Sequence, residues 1–172
     1  MNSDSSYMNT ILLQGSARTD GSTANIAHRL SQHTRMEVLH LADLDIHQFD
    51  YHHRHRGDDF LPLMRHIVTY DRLLIATPVY WYTMSGHVKV FLDRITDCLQ
   101  IEKPIGRKLR GMHLAVLSQC AEASVPPGFF EPFRLSADYL GMHYDGDHHI
   151  LCTDAGLDAT SEQHMKRWLA TL

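Results

Sequence analysis

Apolar runs of strand length alternate along this chain with segments of helical period, and that alternation restricts the fold more than any single motif. Thr10-Ile11-Leu12-Leu13 reads as a buried strand, and Ile26, Ala27 and Leu30 stripe a helix that starts near Ser22 or Thr23. Met36 to Leu41 alternates as a second strand, after which Asp58-Asp59 opens a helix with Leu61, Met64, Ile67 and Val68 inward. Leu73-Leu74-Ile75-Ala76 is a third strand. From Gly86 to Leu99, Val88, Leu92, Ile95 and Leu99 recur at helical spacing, with Lys89, Asp93 and Asp97 on another face. Leu114 to Leu117 and His148 to Leu151 read as later strands, separated by a helix starting near Gly128 or Phe129. A last helix runs from about Ala159, with Met165, Trp168, Leu169 and Leu172 on one stripe.

Five strands alternating with five helices, several strands continuously apolar, argue for an α/β doubly wound parallel sheet covered on both faces. The 172 residues, 44% apolar and 21% charged, suit one domain over residues 10–172 behind a flexible N-terminal tail, 1–9. In such sheets ligands bind beyond the carboxyl ends of the strands, where the winding reverses. Strand order 2-1-3-4-5 would make the first and third strands neighbours.

Each of those strands runs into a loop with distinctive chemistry. Gln14-Gly15-Ser16-Ala17-Arg18-Thr19-Asp20-Gly21-Ser22-Thr23-Ala24-Asn25 has the makings of a phosphate cradle. A helix N-terminus supplies unpaired N–H groups and a favourable dipole. Ser16, Ser22 and Thr23 add hydroxyls, Asn25 an amide and Arg18 a charged fork, while Gly15 and Gly21 permit close backbone approach. The segment is neither a G-x-x-x-x-G-K-[ST] loop nor a G-x-G-x-x-G fingerprint. The second loop, Thr77-Pro78-Val79-Tyr80-Trp81-Tyr82-Thr83-Met84-Ser85, crowds three aromatics where a planar ligand or a partner subunit would meet them.

Composition narrows the function. The formal charge of −4 and pI near 6.4 leave no broad basic face for nucleic acid. Cys98, Cys120 and Cys152 are odd in number and widely spaced, which points to a reducing compartment without a disulfide framework or a Cys-built zinc site. The polar start lacks signal-peptide regions and no apolar run reaches membrane-spanning length, so a cytoplasmic protein is expected. The 14 His residues allow many chance pairings, and no Ser-His-Asp or Cys-His arrangement stands out. His47 to His55 has no recognised metal-ligand spacing and reads as a solvated loop. Asp93-Arg94 reads as a structural charge pair rather than a nicotinamide phosphate site.

These two loops, continued through Gly86-x-Val88-Lys89-x-Phe91-Leu92-Asp93-Arg94, resemble the NAD(P)H-dependent FMN reductase family of flavodoxin-like proteins. The resemblance spans about Thr10 to Leu172. It implies a flavodoxin-like fold and an FMN-dependent oxidoreductase. Ser16, Arg18, Ser22, Thr23, Ala24 and Asn25 would surround the phosphate, and Pro78, Val79, Tyr80, Trp81 and Tyr82 would line the isoalloxazine. Ser118 and Gln119, after the fourth strand, would form a third flavin loop. NADH or NADPH would be the donor, and a quinone, free flavin, azo or nitro compound the acceptor. No dedicated catalytic acid, base or metal is implied, and homodimers with flavin at the interface are the expected assembly. The competing readings are a flavodoxin-like electron carrier without NAD(P)H activity and an α/β protein holding another phosphorylated ligand.

Overall fold

Strands β1 (Thr10–Gln14), β2 (Glu37–His40), β3 (Arg72–Pro78), β4 (His113–Cys120) and β5 (His143–Leu151) form one sheet of order β2-β1-β3-β4-β5. Every neighbouring pair is parallel. The computed structural model describes residues 8–34, 36–153 and 156–172, so the first seven residues of the expected tail lie outside the described residues. Asn9 adjoins the sheet, its N–H donating to the Asp71 carboxylate at 2.9 Å.

Side chains alternate across each strand, and helices cover both faces. Ile11, Leu13, Leu73, Ile75, Leu114 and Val116 pack toward α2 (Phe60–Ile67), α3 (Gly86–Gln100), α4 (Lys103–Lys108) and α5 (Glu131–Leu140). Leu12, Leu74, Ala76, Ala115, Leu117 and Ile150 pack toward α1 (Ser22–His33) and α6 (Ala159–Leu169). Central strands β1 and β3 are buried at every residue, which is why they read as unbroken apolar runs. The doubly wound plan and the order 2-1-3-4-5 expected from the sequence are therefore those of the structure.

Several boundaries differ from the sequence expectation. β5 begins at His143, five residues before the expected His148, because an edge strand accommodates polar residues; its register shifts opposite Leu114/Ala115, where Gly146 has φ 104°. α5 starts at Glu131 after a turn in which the Glu131 N–H donates to Gly128. The short α4 is additional, and Gly106 lets it sit directly on α3: a Cβ there would lie 2.4 Å from the Cys98 carbonyl oxygen.

The largest departure concerns α3. Asp97, expected on its polar face, is buried, and Arg94 is only 1% exposed. Arg94 spends all five N–H donors: Nε on Asp97, one hydrogen of each Nη on Asp58, and the others on the carbonyls of His47 and His55 at 2.9 and 3.2 Å. Its guanidinium also lies 4.8 Å from the Phe60 ring centroid. Asp93 instead pairs with Lys89 on the surface. The structural reading of Arg94 holds, but its partners are Asp58 and Asp97.

This cluster also anchors the His-rich loop, which is not simply solvated. His47 stacks on His55 with centroids 4.6 Å apart, and His53 Nδ1 meets Asp97 Oδ1 at 2.7 Å. Burial pushes the Asp58 carboxyl up, but hydrogen bonds from Arg94 and from the N–H groups of His47 and Phe60 outweigh it and hold it below the usual range. A depressed folded-state pKa contributes stability above the unfolded value of about 3.9, lost as pH falls through the folded one. Replacing Arg94 by Leu strands two buried carboxylates, so urea unfolding at pH 7 should show a loss of about 3–5 kcal/mol. The difference from wild type should shrink below about pH 4, as the carboxyls protonate.

Candidate functional site

The loop between β1 and α1 presents donors at the carboxyl edge of the sheet. The first helical bond runs from the Asn25 N–H to the Gly21 carbonyl at 3.0 Å, leaving the N–H groups of Ser22, Thr23 and Ala24 without helical acceptors. Gly21 is the N-cap and supplies no side-chain cap, so these donors and the helix dipole remain available to an anion. The Gln14 amide donates to the Arg18 carbonyl at 3.0 Å and shapes the turn from within. Ser16 Oγ accepts from the Arg18 N–H at 3.1 Å and lies 3.4 Å from Tyr80 Oη, linking this loop to the next.

The six phosphate residues expected from sequence fall into two groups. Ser16, Ser22, Thr23 and Ala24 lie at the turn itself, with Ser16, Thr23 and Ala24 buried. The Arg18 side chain is 70% exposed and paired with Asp20 at 3.1 Å, and Asn25 faces solvent. Gly15 has another purpose than approach to a ligand. A Cβ there would lie 2.1 Å from Val88 Cγ2, so the glycine lets β1 run against α3. At Gly21, whose N-cap backbone is extended, a Cβ would meet only ordinary contacts.

In the second loop, Pro78 ends β3 and the Val79 N–H donates to the Gln119 carbonyl at 3.0 Å. Tyr80 and Thr83 then exchange backbone hydrogen bonds of 2.9 and 3.1 Å. Trp81 and Tyr82 between them have φ 47° and 66°, the pattern of a type I′ turn, which favours Asn-Gly. Trp81 is 92% exposed and Tyr82 75%. Two bulky side chains thus occupy a left-handed backbone with little burial to offset it, at a cost of roughly 1–3 kcal/mol each. Their N–H groups have no hydrogen-bond partner among the described residues.

Ser85 ties these loops together, a role that the sequence reading did not assign. Its hydroxyl donates to the Gly15 carbonyl and accepts from the Val88 N–H at 3.3 Å, while its N–H donates to Thr77 Oγ1 at 3.1 Å. The signal was a Ser immediately before a helical stripe, which is an N-cap pattern. Ser118 and Gln119, expected in a loop after the fourth strand, instead lie within β4, paired with His149 and Ile150 of β5; Ser118 is fully buried and its Oγ lies 2.9 Å from His149 Nδ1, so its hydroxyl is engaged with β5. Gln119 Nε2 donates to Thr23 Oγ1 at 2.9 Å.

Two open concavities flank this apex. One of about 480 Å³ shares Ser22 and Asn25 with the cradle and extends to Arg29 and Cys152. The other, about 850 Å³, lies between Gln48, Phe49 and Tyr51 and the Lys89 and Asp93 face of α3. Among the described residues no three His, Cys, Asp or Glu side chains gather as a metal-ligand set. Converting Trp81-Tyr82 to Asn-Gly should relieve the turn: calorimetry should show a melting temperature about 2–8 °C above wild type.

Comparison with known proteins gives this geometry a context. The sequence pattern of the family described as NADPH-dependent FMN reductase matches residues 8–124, which include both loops and the end of β4. A Bacillus subtilis (strain 168) protein, YwqN, whose name places it with NAD(P)H-dependent FMN-containing oxidoreductases, is 30% identical over 99 residues. That match spans 54% of this chain and 55% of YwqN, about half the length of that relative. The fold is similar to the Trp repressor binding protein of Bacillus subtilis, at TM-score 0.74 and 19% identity, over 95% of this chain and 97% of that one. It is also similar to general stress protein 14 of Treponema denticola, solved in complex with FMN, at TM-score 0.61 and 21% identity over 94% of each chain. The family match takes in the cradle, the aromatic turn and the Ser85 link between them, and this flavodoxin-like chain belongs to the NADPH-dependent FMN reductase family.

Proposed function

We propose that this chain is an FMN-dependent oxidoreductase that takes electrons from NADH or NADPH and passes them to a small acceptor. The observation that carries the reading is the Trp81-Tyr82 turn, a left-handed aromatic pair beside an uncapped helix start. The donor set fits FMN. Ser16 Oγ, the Ser22 hydroxyl and the N–H groups of Ser22, Thr23 and Ala24 suit a phosphate dianion, and Arg18 is exposed enough to turn from Asp20 toward it. Tyr80, Trp81 and Tyr82 suit the isoalloxazine, and the free N–H groups of Trp81 and Tyr82 suit its polar edge. Pro78 and Val79 shape the strand exit behind them, and Ser118, engaged with His149, drops out of the contact set.

Bound FMN would supply the redox chemistry, accepting hydride from the nicotinamide and delivering electrons to the acceptor. The chain contributes binding, orientation and hydrogen-bond donors toward developing negative charge, with no nucleophile required. A quinone, free flavin, azo or nitro compound suits the exposed Trp81 face as acceptor. The same exposure suits a homodimer in which a second copy meets the turn. A cytoplasmic location suits three free thiols, of which burial pushes Cys98 up to about 12. No described helix is long and apolar enough to cross a membrane. Residues 10–172 would form the single FMN-binding domain.

Protein incubated with FMN and cleared of free ligand should keep a flavin absorption spectrum. Anaerobic addition of NADH or NADPH should bleach it. Retained colour that neither nucleotide bleaches would instead identify an electron carrier, and no retained flavin would refute FMN binding.

A further inference from the structure

We propose that Gln119 is a positioning residue for the phosphate end of the site, acting through Thr23 rather than by touching the flavin ring. This rests on the FMN reading above. Gln119 stands opposite Pro78 in the β3/β4 register. Its carbonyl accepts the Val79 N–H at 3.0 Å, and its side-chain Nε2 donates to Thr23 Oγ1 at 2.9 Å. One residue therefore holds the entry to the aromatic turn with its backbone and the first turn of α1 with its amide.

The direction of that hydrogen bond matters. An amide nitrogen only donates, so it fixes Thr23 Oγ1 as the acceptor and leaves the hydroxyl hydrogen unspent. A threonine inside a helix usually gives that hydrogen to a carbonyl of the preceding turn. Thr23 is the second residue of α1 and has no preceding helical turn, and among the described residues no acceptor takes its hydrogen. Thr23 is 1% exposed, at the same helix start as the free N–H groups of Ser22, Thr23 and Ala24. Gln119 thus presets a neutral, buried group as a further donor toward a phosphate, without introducing charge.

The test compares FMN with riboflavin, which has the same ring and no phosphate, by titrating the quenching of flavin fluorescence. Gln119→Leu and Thr23→Val should each weaken FMN binding about tenfold, the scale of one hydrogen bond to a charged group, while riboflavin affinity changes less than about twofold. Gln119→Glu keeps the shape but offers only acceptors; it would draw the Thr23 hydrogen to itself and weaken FMN most. Thr23→Ser keeps the hydroxyl and should retain FMN binding. The double variant Gln119→Leu with Thr23→Val should bind FMN no more weakly than Thr23→Val alone. Thermal melts of each unliganded variant identify any that fail to fold, and Thr23→Ser against Thr23→Val then decides.

Equal losses for FMN and riboflavin in the Gln119 variants would overturn the proposal and return Gln119 to the ring. Unchanged FMN affinity would overturn it as well. A wild-type chain that binds neither flavin, or binds both equally, would refute the phosphate cradle itself and this proposal with it.

Discussion

The close approach of β1 to the start of α3 is the constraint on which the candidate site depends. The Ser85 hydroxyl donates to the Gly15 carbonyl, and Val88 fills the space that any side chain at residue 15 would need. Because the Ser85 hydroxyl also caps α3 and its N–H donates to Thr77 Oγ1, one residue connects the exits of two adjacent parallel strands. The helix start that offers anion donors and the turn that offers aromatic surface are thereby held at one edge of the sheet. The arrangement follows from parallel strand order, since β1 and β3 can be neighbours only where the winding reverses.

Stability and the candidate site draw on different parts of α3, its middle and its start. Its N-terminus, with Ser85 and Gly15, serves the site. Its middle holds Arg94, which is satisfied by two carboxylates and two carbonyls and fastens residues 47–58 to α3. A charged residue this deeply buried is tolerable because every donor has a partner. The aromatic turn is the reverse case: Trp81 and Tyr82 adopt backbone conformations that disfavour them and stay exposed. Strain without compensating burial is the pattern of a surface kept for binding.

The parts of the fold legible in the sequence were those where burial writes a clear period. β1 and β3, buried on both faces, are continuously apolar, and α1 carries its stripe at Ile26, Ala27 and Leu30. The N-terminal half of β5 was hidden because His143 to Asp147 are edge residues of mixed polarity. α4, at six residues, is too short to show a helical period. Asp97 looked like a surface residue because its partners, Arg94 and His53, include one 44 positions away. The cradle was readable as a Ser-rich turn after a strand, but not the packing purpose of Gly15, which depends on Val88. The left-handed turn was unreadable because Trp-Tyr contradicts the residue preference of the turn it forms.

The most direct test of the central claim is a crystal structure of the chain grown with FMN. The phosphate should lie on the N–H groups of Ser22, Thr23 and Ala24, and the ring system against Tyr80, Trp81 and Tyr82. Flavin lodged instead in the groove between Phe49 and Lys89, with the cradle and the aromatic turn untouched, would contradict it.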